Sequence, residues 1–144
     1  MNYIEEAEEY LTNYDNLKIS LENLRMDVIE LDETFKSIKA INYSGMPHGA
    51  GAGEPSDAIL NKMFQRDQKK VMYDETLNVI TRMEKIFDNL QEADMKILRL
   101  WYIDGYRCEQ LIKDLNCSES TIFRNKRKAI RVLAIQLFGL KGIA

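Results

Sequence analysis

Apolar side chains recur at alternating steps of four and three along residues 3–38, with no missed position. The series is Tyr3, Ala7, Tyr10, Tyr14, Leu17, Leu21, Leu24, Val28, Leu31, Phe35 and Ile38. A heptad sustained over this length predicts one long helix, roughly 55 to 60 Å from end to end, which needs a partner along most of its length. Further apolar residues widen the apolar face of this helix, which favours packing in a hairpin or bundle. They are Ile4, Leu11, Ile19, Met26 and Ile29.

Residues 42–56, NYSGMPHGAGAGEPS, interrupt the pattern with four glycines and two prolines. Such a composition does not sustain a helix and predicts a flexible turn between two antiparallel helices. The same linker would also let the two helices separate and pair with another subunit. No strand precedes GAGAG and no lysine-containing helix start follows it, so a phosphate-binding loop is not predicted. Ser56 is the expected cap of the next helix, with Asp57 in its first turn.

The heptad resumes after the linker, but charged residues interrupt it. Its apolar members are Ile59, Met63, Tyr73, Leu77, Ile80 and Phe87, while Arg66, Lys70 and Glu84 occupy the same register. The polar middle of this helix, residues 65–70, is expected either to be solvated or to pair with acidic residues of the first helix such as Asp27, Glu30 or Glu33. An interrupted heptad of this kind restricts register and partner number.

Shorter helices are predicted in the last third of the chain. A helix over residues 94–103, which Asn89 or Gln91 could start, carries an apolar and aromatic patch in which Trp101 is expected to anchor the local core. The patch consists of Ile97, Leu98, Trp101 and Tyr102, and Asp104-Gly105 ends the helix. The next helix is expected to turn Leu111, Ile112 and Leu115 to the core.

A polar turn, Asn116-Cys117-Ser118, then separates two helices. Asn116 tolerates the left-handed backbone conformation that ends a helix, and Ser118 is the predicted N-cap of the final helix. The residues of that helix expected to face inward are Ile122, Ala129, Ile130, Leu133 and Leu137. A helix, a tight turn and a second helix are the elements of a helix-turn-helix, whose second helix enters the major groove of DNA.

The polar positions of this final helix are rich in cations, and no acidic residue occurs after Glu119. Its first turn predicts contacts with base edges by Glu119, Ser120, Thr121 and Arg124; Arg124 is the strongest candidate because a guanidinium can pair bidentately with guanine. Contacts with phosphates are predicted for Arg107, Lys126, Arg127, Lys128 and Arg131. Phe123 could touch a thymine methyl group or pack inward. An ordinary solvated basic helix is the alternative to this DNA-binding face.

Charge is distributed unevenly along the chain, although the whole protein has a net charge of only −3. Residues 1–90 hold 17 acidic and 10 basic side chains, whereas residues 91–144 hold 6 acidic and 10 basic ones. We therefore divide the chain at residue 90 into a helical hairpin that serves as scaffold and oligomerisation region, and a helix-turn-helix DNA-binding domain.

Residues 90–137 resemble the fourth region of bacterial sigma factors. The resemblance rests on Leu90, the helix over residues 94–103, Gly105, the Leu111-Ile112 pair, Leu115, Ser118, Ile122 and the Ala129-Ile130 pair. The long helices, the Gly-rich linker and the C-terminal module together are similar to the small phage-encoded ArpU/RinA-type transcriptional regulators. This resemblance implies activation of late phage genes and contact with host RNA polymerase. The chain departs from sigma factors by lacking a promoter-melting region and by starting its last helix with Glu119-Ser120-Thr121 instead of an arginine-rich turn.

The sequence therefore predicts an all-α, sequence-specific transcriptional regulator that binds double-stranded DNA and forms homo-oligomers through its N-terminal helices. A DNA-packaging protein resembling a phage terminase small subunit and a coiled-coil adaptor are the alternatives. A large ring of chains would favour packaging, whereas a monomer, dimer or tetramer would favour regulation. Nucleic acid that stays bound to the purified protein through moderate salt would argue against the adaptor.

Other functional classes find little support in the sequence. No Ser/His/Asp set and no nucleotide-binding glycine loop indicates an enzyme, and no cofactor is expected. Cys108 and Cys117 are expected to be small core residues, and the only histidine, His48, is distant from them, so a zinc site is not predicted. No apolar run approaches the roughly 20 residues of a membrane span, and the acidic start MNYIEEAEEY does not resemble a signal peptide. The expected location is the cytoplasm.

Overall fold

The computed structural model describes the backbone of residues 2–43 and 57–143, and the side chains of residues 2–38 and 57–143. Its helices are α1 (Tyr3–Thr12), α2 (Tyr14–Tyr43), α3 (Asp57–Asn89), α4 (Glu92–Leu98), α5 (Cys108–Leu115) and α6 (Glu119–Phe138). A π-helical turn, Arg99–Ile103, extends α4, and a 3-10 turn, Gly139–Ile143, follows α6. No strand occurs in these two ranges, which confirms the predicted all-α class. No helix among them is both long and apolar enough to cross a membrane.

The single N-terminal helix predicted from the heptad is interrupted at Asn13. This residue adopts φ −98° and ψ 7°, and its side-chain amide donates a hydrogen bond of 2.9 Å to the carbonyl of Glu9. A short polar side chain that bonds to nearby backbone competes with regular helix geometry. Helical bonding resumes at once, because the N–H of Leu17 donates to the carbonyl of Asn13 over 2.8 Å. The heptad gave no sign of the break, since Asn13 is not one of its members.

Helix α2 ends at Tyr43, so the first two residues of the predicted linker are helical instead of forming a turn. The helical hydrogen bonds of α2 therefore extend past the last heptad member. The rest of the linker, including the GAGAG segment and the expected cap Ser56, lies outside the described residues. Helix α3 begins at Asp57, and this acidic residue occupies its first turn as predicted.

The chain forms two compact units. Residues 2–18 and 79–143 make up one, which we call the C-terminal unit, and residues 19–43 and 57–78 make up the other, which we call the hairpin unit. The division inferred from sequence falls at residue 90. By its contacts, the C-terminal unit also includes α1 and the end of α3.

The hairpin unit packs α2 against α3 around Leu24 and Phe35, both buried. The guanidinium of Arg66 lies 4.7 Å from the centre of the Phe35 ring. Three ion pairs cross between the helices: Asp27 with Lys69 at 3.3 Å, Asp32 with Arg66 at 3.6 Å, and Asp32 with Lys70 at 3.9 Å. The pairs Asp27–Lys69 and Asp32–Arg66 follow opposite orders along the two helices, as in antiparallel packing.

The sequence predicted only some of the acidic residues that form ion pairs with the cations of α3. Asp27 pairs as predicted, but the second partner is Asp32, whereas Glu30 and Glu33 form no ion pair among the described residues. Neither Glu30 nor Glu33 is buried in the hairpin. Asp32 is half-buried and lies close to the two cations that the register places opposite it.

The C-terminal unit has one continuous apolar core to which α1, α3, α4, α5 and α6 all contribute. The buried members are Ala7, Leu11, Met83, Ile86, Ile97, Leu98, Leu111, Ile122, Ala129, Ile130, Leu133 and Ala134. Phe138 packs against the rings of Tyr3 and Tyr10, with centroids 5.1 and 6.0 Å apart. The predicted inward face of the last helix is thus confirmed, with Leu137 half-buried at its edge.

The apolar face predicted for the preceding helix is narrower than expected. Leu111 is fully buried and Leu115 half-buried, but the side chain of Ile112 is 36% exposed. Leu111 and Leu115 are four residues apart and share a face of α5, whereas Ile112 points about 100° away from Leu111. The placement of Ile112 toward the core was therefore wrong.

Candidate nucleic-acid interface

A three-residue turn joins α5 to α6. Asn116 adopts the left-handed conformation, with φ 52° and ψ 44°, which lets α5 end sharply. Ser118 is extended, and its Oγ accepts a hydrogen bond of 3.3 Å from the N–H of Thr121. The predicted C-terminal stop and N-cap are both confirmed, and they fix the start of α6 relative to α5.

Four cations lie on one face of α6, and we call them the cationic stripe. They are Arg124, Arg127, Lys128 and Arg131, all exposed, at spacings of three, four and seven residues. None of the four is within ion-pair distance of a carboxylate in the part of the chain that the structure describes. Ser120, also exposed, lies one turn before Arg124 on the same face. The stripe therefore presents a concentrated positive charge to solvent.

Two of the other predicted DNA contacts on α6 point elsewhere. Lys126 is two residues from both Arg124 and Lys128, and residues two apart lie on nearly opposite sides of a helix. Glu119 precedes Lys126 by seven residues and shares its side. Thr121 is half-buried, and its hydroxyl oxygen lies 2.8 Å from that of Ser118. The structure thus gathers five of the predicted α6 residues on one face and separates Glu119 and Lys126 from them, with Thr121 at its edge.

Lys126 instead lies against two aromatic rings. Its Nζ is 4.0 Å from the centroid of Trp101 and 5.4 Å from that of Phe123. The two rings meet edge to face with centroids 6.1 Å apart. Phe123 therefore packs inward against Trp101, which answers the question that the sequence left open. Trp101 is half-buried among these side chains.

Arg107, at the N-cap of α5, approaches the same ring. Its guanidinium carbon is 5.0 Å from the Trp101 centroid, and its Nη1 donates to the carbonyls of Tyr106 and Trp101 over 3.2 and 3.5 Å. The backbone N–H of Arg107 donates to Oε1 of Gln110 over 2.8 Å, which fixes the start of α5. Two of the cations predicted to contact phosphates, Arg107 and Lys126, therefore share one aromatic ring.

Electrostatic effects near Trp101 involve α1 as well. Desolvation lowers the pKa of the Lys126 ammonium, the positive charges of Arg107 and Arg127 lower it further, and the carboxylate of Glu8 opposes them. Burial raises the pKa of Tyr102, and the charge of Glu8 and a hydrogen bond to it act in the same direction. The sequence did not identify Glu8, and it named Tyr102 only as a member of the apolar patch over residues 94–103. No local pattern could reveal Glu8, because α1 reaches this site only through the tertiary fold.

The two cysteines do not form a recognisable metal site. Cys117 donates a hydrogen bond from its thiol to the carbonyl of Leu115 over 3.2 Å, and Cys108 is half-exposed. Desolvation raises the pKa of Cys108, as do the charges of Glu119 and Glu109. Among the described residues, no group of three or more His, Cys, Asp or Glu side chains could hold a metal ion. The lone histidine, His48, is outside them.

Comparison with known proteins gives one match. The model of a family described as "Protein of unknown function (DUF1492)" matches residues 51–134. That segment contains α3, α4 and α5 and the part of α6 that carries the cationic stripe. No curated protein and no solved structure matches the chain.

Proposed function

The chain belongs to the DUF1492 family, and we propose that it is a sequence-specific transcriptional regulator whose C-terminal unit binds double-stranded DNA. One observation carries this proposal. Four exposed cations that pair with no carboxylate of the described residues lie along one face of a helix that follows a capped, three-residue turn. DNA phosphates are the natural counterpart of such a face, because neutralising them releases condensed counterions.

The stripe divides by position into base-reading and phosphate-binding residues. Arg124 and Ser120 are nearest the capped end of α6, the end that contacts base edges when a recognition helix enters the major groove. Arg127, Lys128 and Arg131 follow toward the middle of the helix and are assigned to phosphates. Glu119 does not lie on this face, and we assign it no base. The Thr121 hydroxyl contacts Ser118, so its role is to support the turn.

The regulatory setting is proposed from the resemblance to ArpU/RinA-type proteins. It consists of phage or prophage late genes and contact with host RNA polymerase. Homo-oligomers through the N-terminal helices are also part of the proposal. Their support is a set of apolar side chains left exposed on the hairpin unit: Ile19, Met26, Ile29, Leu60, Phe64 and Val71. Within each helix these side chains are three, four or seven residues apart and so share a face, and an exposed apolar face is typical of protein contacts.

Recovery of bound DNA from the host genome, followed by a salt-titrated shift assay on the recovered fragments, tests the function. We expect the protein to prefer recovered fragments over random duplex and to lose affinity steeply with salt. A variant with all four stripe cations changed to Gln should lose this binding while keeping its helical circular dichroism. Equal binding by that variant, or no binding by the wild-type chain, would reject the proposal.

A DNA-packaging protein is the second candidate, because the exposed apolar side chains of the hairpin unit suit a large assembly as well as a dimer. Mass measurement in solution separates the two. A closed ring of many chains would support packaging, whereas a dimer or tetramer bound to one recovered site would support regulation.

A further inference from the structure

Arg107 and Lys126 form a pair of like charges on one aromatic ring, and we call them the Trp101 cation pair. Their distances to the ring centroid are 5.0 and 4.0 Å, both within the range of a cation–π interaction. Neither forms an ion pair with any described carboxylate. Two like charges on one ring repel each other, and the charge of Glu8 acts on Lys126 without forming an ion pair with it, so the arrangement favours a further anionic ligand.

Both side chains of the Trp101 cation pair also keep N–H groups that are free to donate hydrogen bonds to a ligand. A guanidinium has five N–H groups, and the bonds from Arg107 to the carbonyls of Trp101 and Tyr106 both come from Nη1. The Lys126 ammonium has three donors and forms no hydrogen bond within the described residues. Both cations therefore have donors available for phosphate oxygens.

We propose that Trp101 positions Arg107 and Lys126 as one two-cation site for a phosphodiester of the DNA backbone, separate from the cationic stripe. The inference rests on the proposed DNA-binding function and deepens it. Lys126 lies on the opposite side of α6 from Arg124 and Lys128. The site therefore holds a phosphate that the stripe does not reach, and Trp101 acts through the two cations without touching DNA.

The direction of the Lys126 pKa agrees with a site whose positive charge the protein itself does not neutralise. Desolvation and the neighbouring charges of Arg107 and Arg127 lower the pKa of Lys126, whereas Glu8 and, to a smaller extent, Cys108 oppose them. A bound phosphodiester would add a second negative charge next to the ammonium. This charge would raise the pKa of the ammonium and strengthen the contact.

Salt titrations of DNA binding test the site in four variants of the full chain: Trp101→Leu, Trp101→Phe, the double variant Arg107→Ala/Lys126→Ala, and that double variant combined with Trp101→Leu. Each lost phosphate contact should flatten the plot of log affinity against log salt by about 0.9 unit. The double variant should lose about one unit, because the pair binds one phosphodiester, and Trp101→Leu most of the same amount. Trp101→Phe should keep the wild-type slope, because it retains an aromatic face.

The combined variant separates positioning from a general loss of stability. If Trp101 acts through the cation pair, Trp101→Leu should have no further effect on the slope once both cations are gone. A further loss in that background would overturn the inference, as would a wild-type slope in Trp101→Leu. Circular dichroism and thermal unfolding check that each variant is folded.

The emission of Trp101, the only tryptophan in the chain, gives an independent measurement if Trp101→Leu does not fold. Adding a short duplex should change the emission of the wild-type chain but not that of Arg107→Ala/Lys126→Ala. If the duplex binds and this binding depends on the cationic stripe, but the emission of Trp101 does not change, the two-cation site is rejected and the proposed function remains. Absence of any duplex binding by the wild-type chain would reject both.

Discussion

The phenol of Tyr14 donates a hydrogen bond of 3.0 Å to Oε1 of Glu84, which is 70 positions later in the chain. The same phenol ring meets Phe87 edge to face, with centroids 5.3 Å apart. These contacts join the start of α2 to the end of α3 within the C-terminal unit. The unit that carries the cationic stripe is therefore built from both ends of the described chain.

Tyr14 should make stability depend on pH in the alkaline range. Burial and the bond to Glu84 raise the pKa of Tyr14 from 10.0 to about 12 in the folded protein. Its contribution is fully present below pH 10 and is lost as the pH rises toward 12, because the unfolded chain ionises first. Urea unfolding of the wild type and Tyr14→Phe at about pH 9 and about pH 11 measures it. The wild type should lose more stability than the variant, and equal losses would contradict the assignment.

Arg124→Ala should reduce discrimination between recovered operator fragments and random duplex. The expected loss is about 1 to 3 kcal/mol if the guanidinium pairs bidentately with a guanine. Competition binding at fixed salt measures this ratio. Arg82→Ala, which removes the same charge from an exposed position on α3, is the matched control and should leave the ratio unchanged. Equal ratios for both variants would remove Arg124 from the base-reading group.

Lys128→Ala should weaken binding to every duplex to the same extent. One phosphate contact is lost, so the salt dependence should flatten by about one unit without a change in sequence preference. Salt-titrated shift assays on operator and random DNA give both quantities. Lys36→Ala, an exposed position in the hairpin unit, should keep the wild-type slope. A changed preference in Lys128→Ala would mean that this side chain reads bases.

Ser118→Ala should destabilise the C-terminal unit by about 1 kcal/mol. The substitution removes the oxygen that accepts the N–H of Thr121 at the start of α6. Urea unfolding followed by Trp101 emission reports on this unit. Ser20→Ala, at an exposed position inside α2, serves as control and should be neutral or slightly stabilising, since alanine favours a helix interior. Similar losses for the two variants would argue against a capping role.

Gly142→Ala should destabilise the turn that follows α6. A Cβ at this buried position would lie within 3.0 Å of the backbone of Ala134, and a helical backbone cannot easily move away. Overpacking of this kind costs about 1 to 3 kcal/mol. Leu140→Ala, in the same turn but 86% exposed, should cost much less. Thermal unfolding of both variants distinguishes a close backbone approach from a general sensitivity of the turn.

Local chemistry explains why much of the fold could be predicted from the sequence. Heptad spacing located the long helices, and the conformations open to Asn116 and Ser118 located the turn between α5 and α6. The break at Asn13 was missed, because a side-chain bond to Glu9 leaves no trace in hydrophobic periodicity. Packing of α1 against α6 was also missed, since periodicity gives the face that is buried but not its partner.

The sequence also predicted the residues of the candidate site better than their positions on the helix and their contacts. Lys126 and Lys128 were both predicted to contact phosphates, although a difference of two positions places them on opposite sides of α6. A helical projection of the sequence could have revealed this separation. The approach of Arg107 and Lys126 to the Trp101 ring could not have been found that way, because it depends on how α4, α5 and α6 pack together.

The discontinuous make-up of the C-terminal unit has a consequence for synthesis of the protein. Helix α1 leaves the ribosome before α6, but Ala7 and Leu11 are buried in a core that requires α6. These two side chains therefore stay exposed, and open to chaperones, until α6 has emerged. A nascent chain interrupted before that point would contain the long helices without a completed C-terminal unit.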